Sequence, residues 1–158
     1  MVYTTHNPTF DAQLQLKDVT AAITSTATAQ VGGVDAVIDL MPGAPANAPV
    51  KFIQGVVFLD VTAIDVANND EGYTLQVQGT NTAGFGGTVY ELGRRVLGAT
   101  AATGIGANTV VGRYPIYFDN VAAVAAGEYQ PQRYIRLRAT VAGTTPSLTY
   151  TAWAAYDV

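Results

Sequence analysis

Tyr73-Thr74-Leu75-Gln76-Val77-Gln78 alternates apolar and polar residues without a break. Successive side chains of a strand point to opposite faces, so Tyr73, Leu75 and Val77 share one side and Thr74, Gln76 and Gln78 the other. One side suits a core and the other suits water, the pattern of a half-buried strand in an antiparallel sheet. The same pattern returns from Tyr134 to Val141. There Ile135, Leu137, Ala139 and Val141 point one way, and Tyr134, Arg136, Arg138 and Thr140 the other.

Outward from these two segments the strand signal continues in weaker form. Ala21 to Val31 alternates small apolar residues with Thr, and Ala36-Val37-Ile38-Asp39-Leu40 stops at the turn signal Met41-Pro42-Gly43. Lys51 to Val61 is apolar at both parities (Phe52, Val56, Phe58 against Ile53, Val57, Leu59), which predicts a central strand buried on both sides, with Gly55 as a candidate bulge. Tyr114 to Phe118 and Leu148 to Tyr156 complete the set, and Pro115 requires an edge strand or a strand start. Breaker-rich loops fall at Pro42 to Pro49, Asn68 to Gly72, Gly79 to Gly87 and Gly98 to Gly112. No helical period is long enough to predict a helix, although short helical turns fit near Asp11 or between Ala63 and Ala67. About eight strands without long helices predict an all-β fold, a single jelly roll or antiparallel β-sandwich. The predicted organisation is a flexible N-terminal arm over residues 1–10 and one domain over residues 11–158.

Composition narrows the function classes. The 158 residues include one His, no Cys and only 13% charged side chains, against roughly 25% in ordinary soluble domains. A sparse charge pattern with abundant Ala, Thr, Gly and Val suggests a surface partly covered by a partner. The net charge of −4 gives no basic footprint for nucleic acid. Without Cys there is neither a disulfide framework nor a zinc-thiolate site. The first eight residues have no basic start and no apolar run, so no signal peptide is expected. No segment approaches the ~18 apolar residues of a membrane span, and use in soluble form is expected.

The chain is poor in catalytic constellations. His6 has no second His to work with, and Ser25 and Ser147 lie outside any Gly-x-Ser-x-Gly elbow. Gly98 to Gly106 lacks the Gly-Lys-Ser/Thr ending of a phosphate loop. Asp65 to Gly72 gathers oxygen ligands, but its spacing departs from the twelve-residue calcium loop, and a polar turn explains it as well. The basic concentrations are Arg94-Arg95 and the trio Arg133, Arg136 and Arg138, with Tyr134 beside the last two on one strand face. Arg beside Tyr is a frequent interface composition, and an exposed face of solvated charges is the plainer alternative. No enzyme activity and no cofactor are expected.

Two stretches together carry a resemblance. The first is Asp70-Glu71-Gly72-Tyr73-Thr74-Leu75-Gln76-Val77-Gln78-Gly79-Thr80-Asn81, continuing to Phe85 and Glu91-Leu92-Gly93. The second runs from Gly112-Arg113-Tyr114-Pro115-Ile116-Tyr117-Phe118-Asp119-Asn120 through Arg133-Tyr134-Ile135-Arg136-Leu137-Arg138 to Ala152. In this order they resemble the cement, or decoration, proteins of tailed-phage capsids built on a single jelly roll. Val37-Ile38-Asp39-Leu40 before a Gly/Pro turn also looks like that group.

The resemblance implies a non-enzymatic virion protein on the outer surface of the phage head. It would bind the major capsid protein and itself, as a homotrimer or homodimer, and contact neither nucleic acid nor membrane. It would be found in the host cytoplasm during assembly. Arg94, Arg95, Tyr134, Arg136, Arg138 and Trp153 are the candidate capsid or oligomer contacts. The alternative is a carbohydrate-binding jelly-roll module of a head fibre or receptor-binding protein, for which Trp153 and Tyr156 are the aromatic candidates.

Overall fold

The computed structural model describes residues 14–19 and 21–156; the expected arm over residues 1–10 and the turn near Asp11 lie outside them. The chain opens with short strands: β1 (Gln15–Lys17), β2 (Ala27–Thr28), β3 (Gln30–Val31), β4 (Val34–Asp35) and β5 (Ile38–Asp39). Long strands follow as β6 (Gln54–Ile64), β7 (Gly72–Thr80) and β8 (Tyr90–Gly98), then a single helical turn, α1 (Thr100–Thr103). The remainder is β9 (Gly112–Asp119), β10 (Val121–Ala125), β11 (Glu128–Pro131), β12 (Tyr134–Ala142) and β13 (Leu148–Tyr156).

The architecture is an all-β antiparallel sandwich. One sheet orders its strands β1-β13-β6-β9, and the other orders them β2-β12-β7-β8, with β5 sharing the β2 side of β12. The ladders are nested along the chain: β7 pairs β8, β6 pairs β9, β2 and β5 pair β12, and β1 pairs β13. Two further ladders, β6 with β13 and β7 with β12, join these pairs into sheets.

The predicted alternation decides what enters the core. Tyr73, Leu75 and Val77 of β7 and Ile135, Leu137 and Ala139 of β12 are buried. They pack in one cluster with Val57, Leu59 and Val61 of β6 and Tyr150, Ala152 and Ala154 of β13. Each such large side chain contributes about 1.5–3 kcal/mol by leaving water, which is why alternation can set the fold without help from charges.

Several expectations are corrected. The strand expected from Lys51 begins at Gln54, and it is central but not buried on both sides: Val56 and Phe58 point away from the core and are only half-buried. Gly55 is no bulge; it pairs in register with Phe118 and Tyr156, and the irregularity in this ladder falls at Thr149/Tyr150. Its reason is close approach, because a Cβ there would come 2.7 Å from the Phe118 ring. Ala21 to Val31 is not one strand but an isolated bridge at Ile23 and two fragments. The helical turn falls at Thr100 rather than between Ala63 and Ala67. Strand β8 and the β10–β11 hairpin were not expected, since Gly93 and the Arg pair interrupt alternation in β8.

Pro115 meets its requirement, because β9 is an edge strand. At that edge the two sheets close on each other. A Cβ at Gly93 of β8 would lie 2.5 Å from the Tyr117 carbonyl oxygen of β9, so only glycine permits the approach.

Replacing the fully buried Leu75 with Ala removes core contacts and leaves a cavity, lowering the unfolding free energy by about 2–5 kcal/mol. Thr74→Ala, one position along the same strand on the outer face, changes it by less than about 1 kcal/mol. Urea titration of the two variants checks the assignment of faces.

Candidate functional site

The two sheets present unlike outer faces. On the first sheet, Trp153 of β13 lies opposite Phe58 of β6, which lies opposite Pro115 of β9. The next row is Ala155, Val56 and Tyr117, and the row on the other side is Thr151, Asp60 and Arg113. Strand alternation puts all these positions on the side away from the core. Phe58, Val56 and Pro115 are half-buried, and Tyr117 is 76% exposed. Arg113 borders the apolar rows: its guanidinium grips the Asp60 carboxylate at 2.6 and 2.8 Å and sits 5.8 Å from the Phe58 ring centre. The face is therefore apolar at its middle and charge-balanced along one side.

The second sheet is polar outside. Thr28, Arg138, Gln76 and Arg94 make one cross-strand row, and Arg136, Gln78 and Glu91 make the next. Arg136 Nε donates to Gln78 Oε1 at 2.9 Å, and its guanidinium lies 4.2 Å from the Phe85 ring centre. Burial, and then the neighbouring Arg138 charge, pull the Arg136 pKa below its ordinary value. Phe85 holds a left-handed backbone (φ 53°) in the β7–β8 loop. Glu91 accepts from the Gln76 amide and pairs with Arg94 at 2.9 Å.

The candidates from the sequence thus divide among three places. Tyr134, Arg136, Arg138 and Arg94 share the polar face, as the strand pattern of β12 requires. Arg95, next to Arg94, is turned to the other side of β8, where it enters a cleft at the sandwich edge. Trp153 lies on the opposite sheet altogether. Tyr156, its companion in the carbohydrate reading, packs against the core. Phe58, Val56, Pro115 and Tyr117 were not expected to form an outer surface. Their signal was present in the two-sided apolarity of β6, which was attributed to burial on both sides.

The Arg95 cleft has a volume of about 500 Å³ and is walled by Val96, Ile105, Asn108, Val110 and Tyr114, with Arg94, which is paired to Glu91, also at its wall. Arg95 stacks 5.3 Å from the Tyr114 ring centre, and the Tyr114 hydroxyl donates to the Val110 carbonyl at 2.6 Å, fixing the ring.

Arg133, the third member of the basic trio, is structural. It donates to both Asp39 oxygens at 2.8 Å and to the carbonyls of Met41, Ala44 and Pro45, clasping the turn after β5. The acidic turn is likewise tied to itself and to the turn between β12 and β13. Asp65 accepts from the Ala67 amide, Asp70 from the Thr144 amide and hydroxyl, and Glu71 from the Asn68 amide. Among the described residues no group of three His, Cys, Asp or Glu converges as metal ligands would.

The chain matches no family model, no curated protein and no solved structure.

The hydrogen bonds from Arg133 hold the Asp39 carboxyl below the ordinary carboxylate range. With an unfolded value of about 3.9, this contribution is present at neutral pH and is lost as pH falls through the lower folded value. Asp39→Asn is therefore less stable than the wild type at pH 6, and the gap narrows as acidification carries the pH below the ordinary carboxylate range and protonates the wild-type carboxyl. Thermal unfolding across this range measures the gap.

Proposed function

We propose that the protein is a non-enzymatic cement protein of a phage head, binding the outer surface of the assembled shell and stabilising contacts between major capsid subunits. The observation that carries this reading is the apolar outer face of the first sheet, where Tyr117 stands beside Val56 and Phe58 pairs with Pro115. A sheet needs only one apolar face to fold. A second one, bordered by the Arg113–Asp60 pair, has the form of an interface core with a polar rim. The nested ladders support reading the sandwich as a jelly roll, in which two Greek keys occupy two sheets. The family resemblance of the two quoted stretches joins this geometry to capsids.

The physics suits the role. A shell offers the same site many times, and a rigid sandwich that bridges two subunits makes its second contact at high effective concentration, so modest affinities multiply. Self-association as a trimer or dimer would match the local symmetry of such sites. The polar face, with Arg94, Tyr134, Arg136 and Arg138, is then directed to solvent or to a sister copy.

Purified protein mixed with expanded heads lacking it is expected to co-sediment saturably, at a fixed ratio to the capsid subunit, and to raise the temperature at which heads rupture. Tyr117→Asp, placing a charge on the apolar face at an exposed position, weakens this binding by at least about tenfold while leaving the fold intact by circular dichroism. Absence of binding to heads, with selective retention on a glycan array, overturns the proposal in favour of the carbohydrate-binding module.

A further inference from the structure

The cleft at the β8–β9 edge combines three features that the capsid-binding reading does not use. First, Arg95 enters it as an unneutralised cation. Among the described residues the ion pairs engage Lys17, Arg94, Arg113 and Arg133 but not Arg95. Second, the cation is held in place by its stack on Tyr114, whose ring is anchored by the bond to Val110. A guanidinium stacked on an aromatic face keeps its in-plane N–H donors available for a carboxylate. Third, Val96, Ile105 and Val110 give the cleft apolar walls, and its volume of about 500 Å³ exceeds what a bare ion would fill.

A fourth feature selects the source of the anion. β8 is the last strand of its sheet. On its outer side Gly98 is already bonded to Thr109 and Gly93 is closed over by β9, which leaves the backbone between them, at Arg94 to Val96, without a strand partner. The adjacent β9, across the corner, is the last strand of the other sheet. An extended chain entering the cleft can therefore bond to the β8 main chain and place alternate side chains against the walls. A free carboxylate would satisfy Arg95 alone.

We propose that this cleft is a binding site for an extended acidic peptide segment of another protein, with one Asp or Glu carboxylate on Arg95 and its apolar neighbours against Val96, Ile105 and Val110. Charge complementarity favours it: none of the described ion pairs neutralises Arg95, so the cleft presents a cation to the Asp or Glu side chain of the peptide. The inference rests on the cleft geometry and stands apart from the capsid reading, since it concerns the opposite edge of β9 from the β6 ladder.

The test uses the full chain and four probes: the blocked hexapeptide Thr-Val-Glu-Val-Thr-Val, its Gln and Lys counterparts, and sodium acetate. Binding is followed by amide NMR shifts. The Glu peptide is expected to saturate shifts at Arg95, Val96, Leu97, Val110 and Val111. It should bind about two- to fivefold more tightly than the Gln peptide, as loss of one solvent-exposed ion pair predicts. Arg95→Gln, at an exposed position, should abolish that preference, and Arg95→Glu should transfer it to the Lys peptide. The proposal is overturned by unsaturable shifts, by a Glu-over-Gln preference that survives either substitution, or by acetate alone reproducing the shifts at equal affinity. None of these outcomes depends on whether the protein binds heads.

Discussion

The nine-residue ladder between β7 and β12 decides which side of each strand meets the core, and the rest of the molecule inherits that decision. Tyr73, Leu75 and Val77 stand beside Val141, Ala139 and Leu137 on one face, and Thr74, Gln76 and Gln78 beside Thr140, Arg138 and Arg136 on the other. A slip of one residue would drive the Arg side chains into the sandwich, where unpaired charges cost several kcal/mol each, so the register has no close competitor. The β8 ladder then extends the polar face through Arg94 and Glu91, and the facing sheet closes over the apolar side.

The facing sheet does not repeat the arrangement. Its inner face is apolar, as it must be, but Val56, Phe58, Pro115, Tyr117 and Trp153 make much of its outer face apolar as well. This asymmetry between the sheets is the observation on which the proposed interaction surface rests.

The arginines illustrate how strand geometry separates neighbours. Arg94 and Arg95 are consecutive in the chain, yet one joins the polar network with Glu91 and Gln76 while the other stacks on Tyr114 across the sheet corner. Arg133 and Tyr134, by contrast, stay in contact while serving different parts of the fold. The Arg133 guanidinium lies 5.3 Å from the Tyr134 ring centre as it clasps Asp39 and the turn beyond it, and Tyr134 starts the outer face of β12. A cluster of basic residues in sequence is here three different structural devices.

Much of the fold was legible from local pattern. Alternation identified β7 and β12 and the direction of every side chain on them, because a period of two is a property of the extended backbone itself. The strand from Leu148 to Tyr156 and the edge position of Pro115 were legible for the same kind of reason, the second because proline lacks a donor for a ladder. Strand β8 was not legible, since Gly93 serves a close approach between sheets that only the folded chain contains. Nor was the outer surface built on β6. Two-sided apolarity reads the same in sequence whether or not another layer of strands covers the outer side, and only the stacking of the sheets shows that, among the described residues, the second sheet covers one side of β6. The sequence by itself determined an all-β chain and which residues alternate across each clear strand. Tertiary structure alone decided which faces turn outward and which arginines meet, because those depend on contacts between segments far apart along the chain.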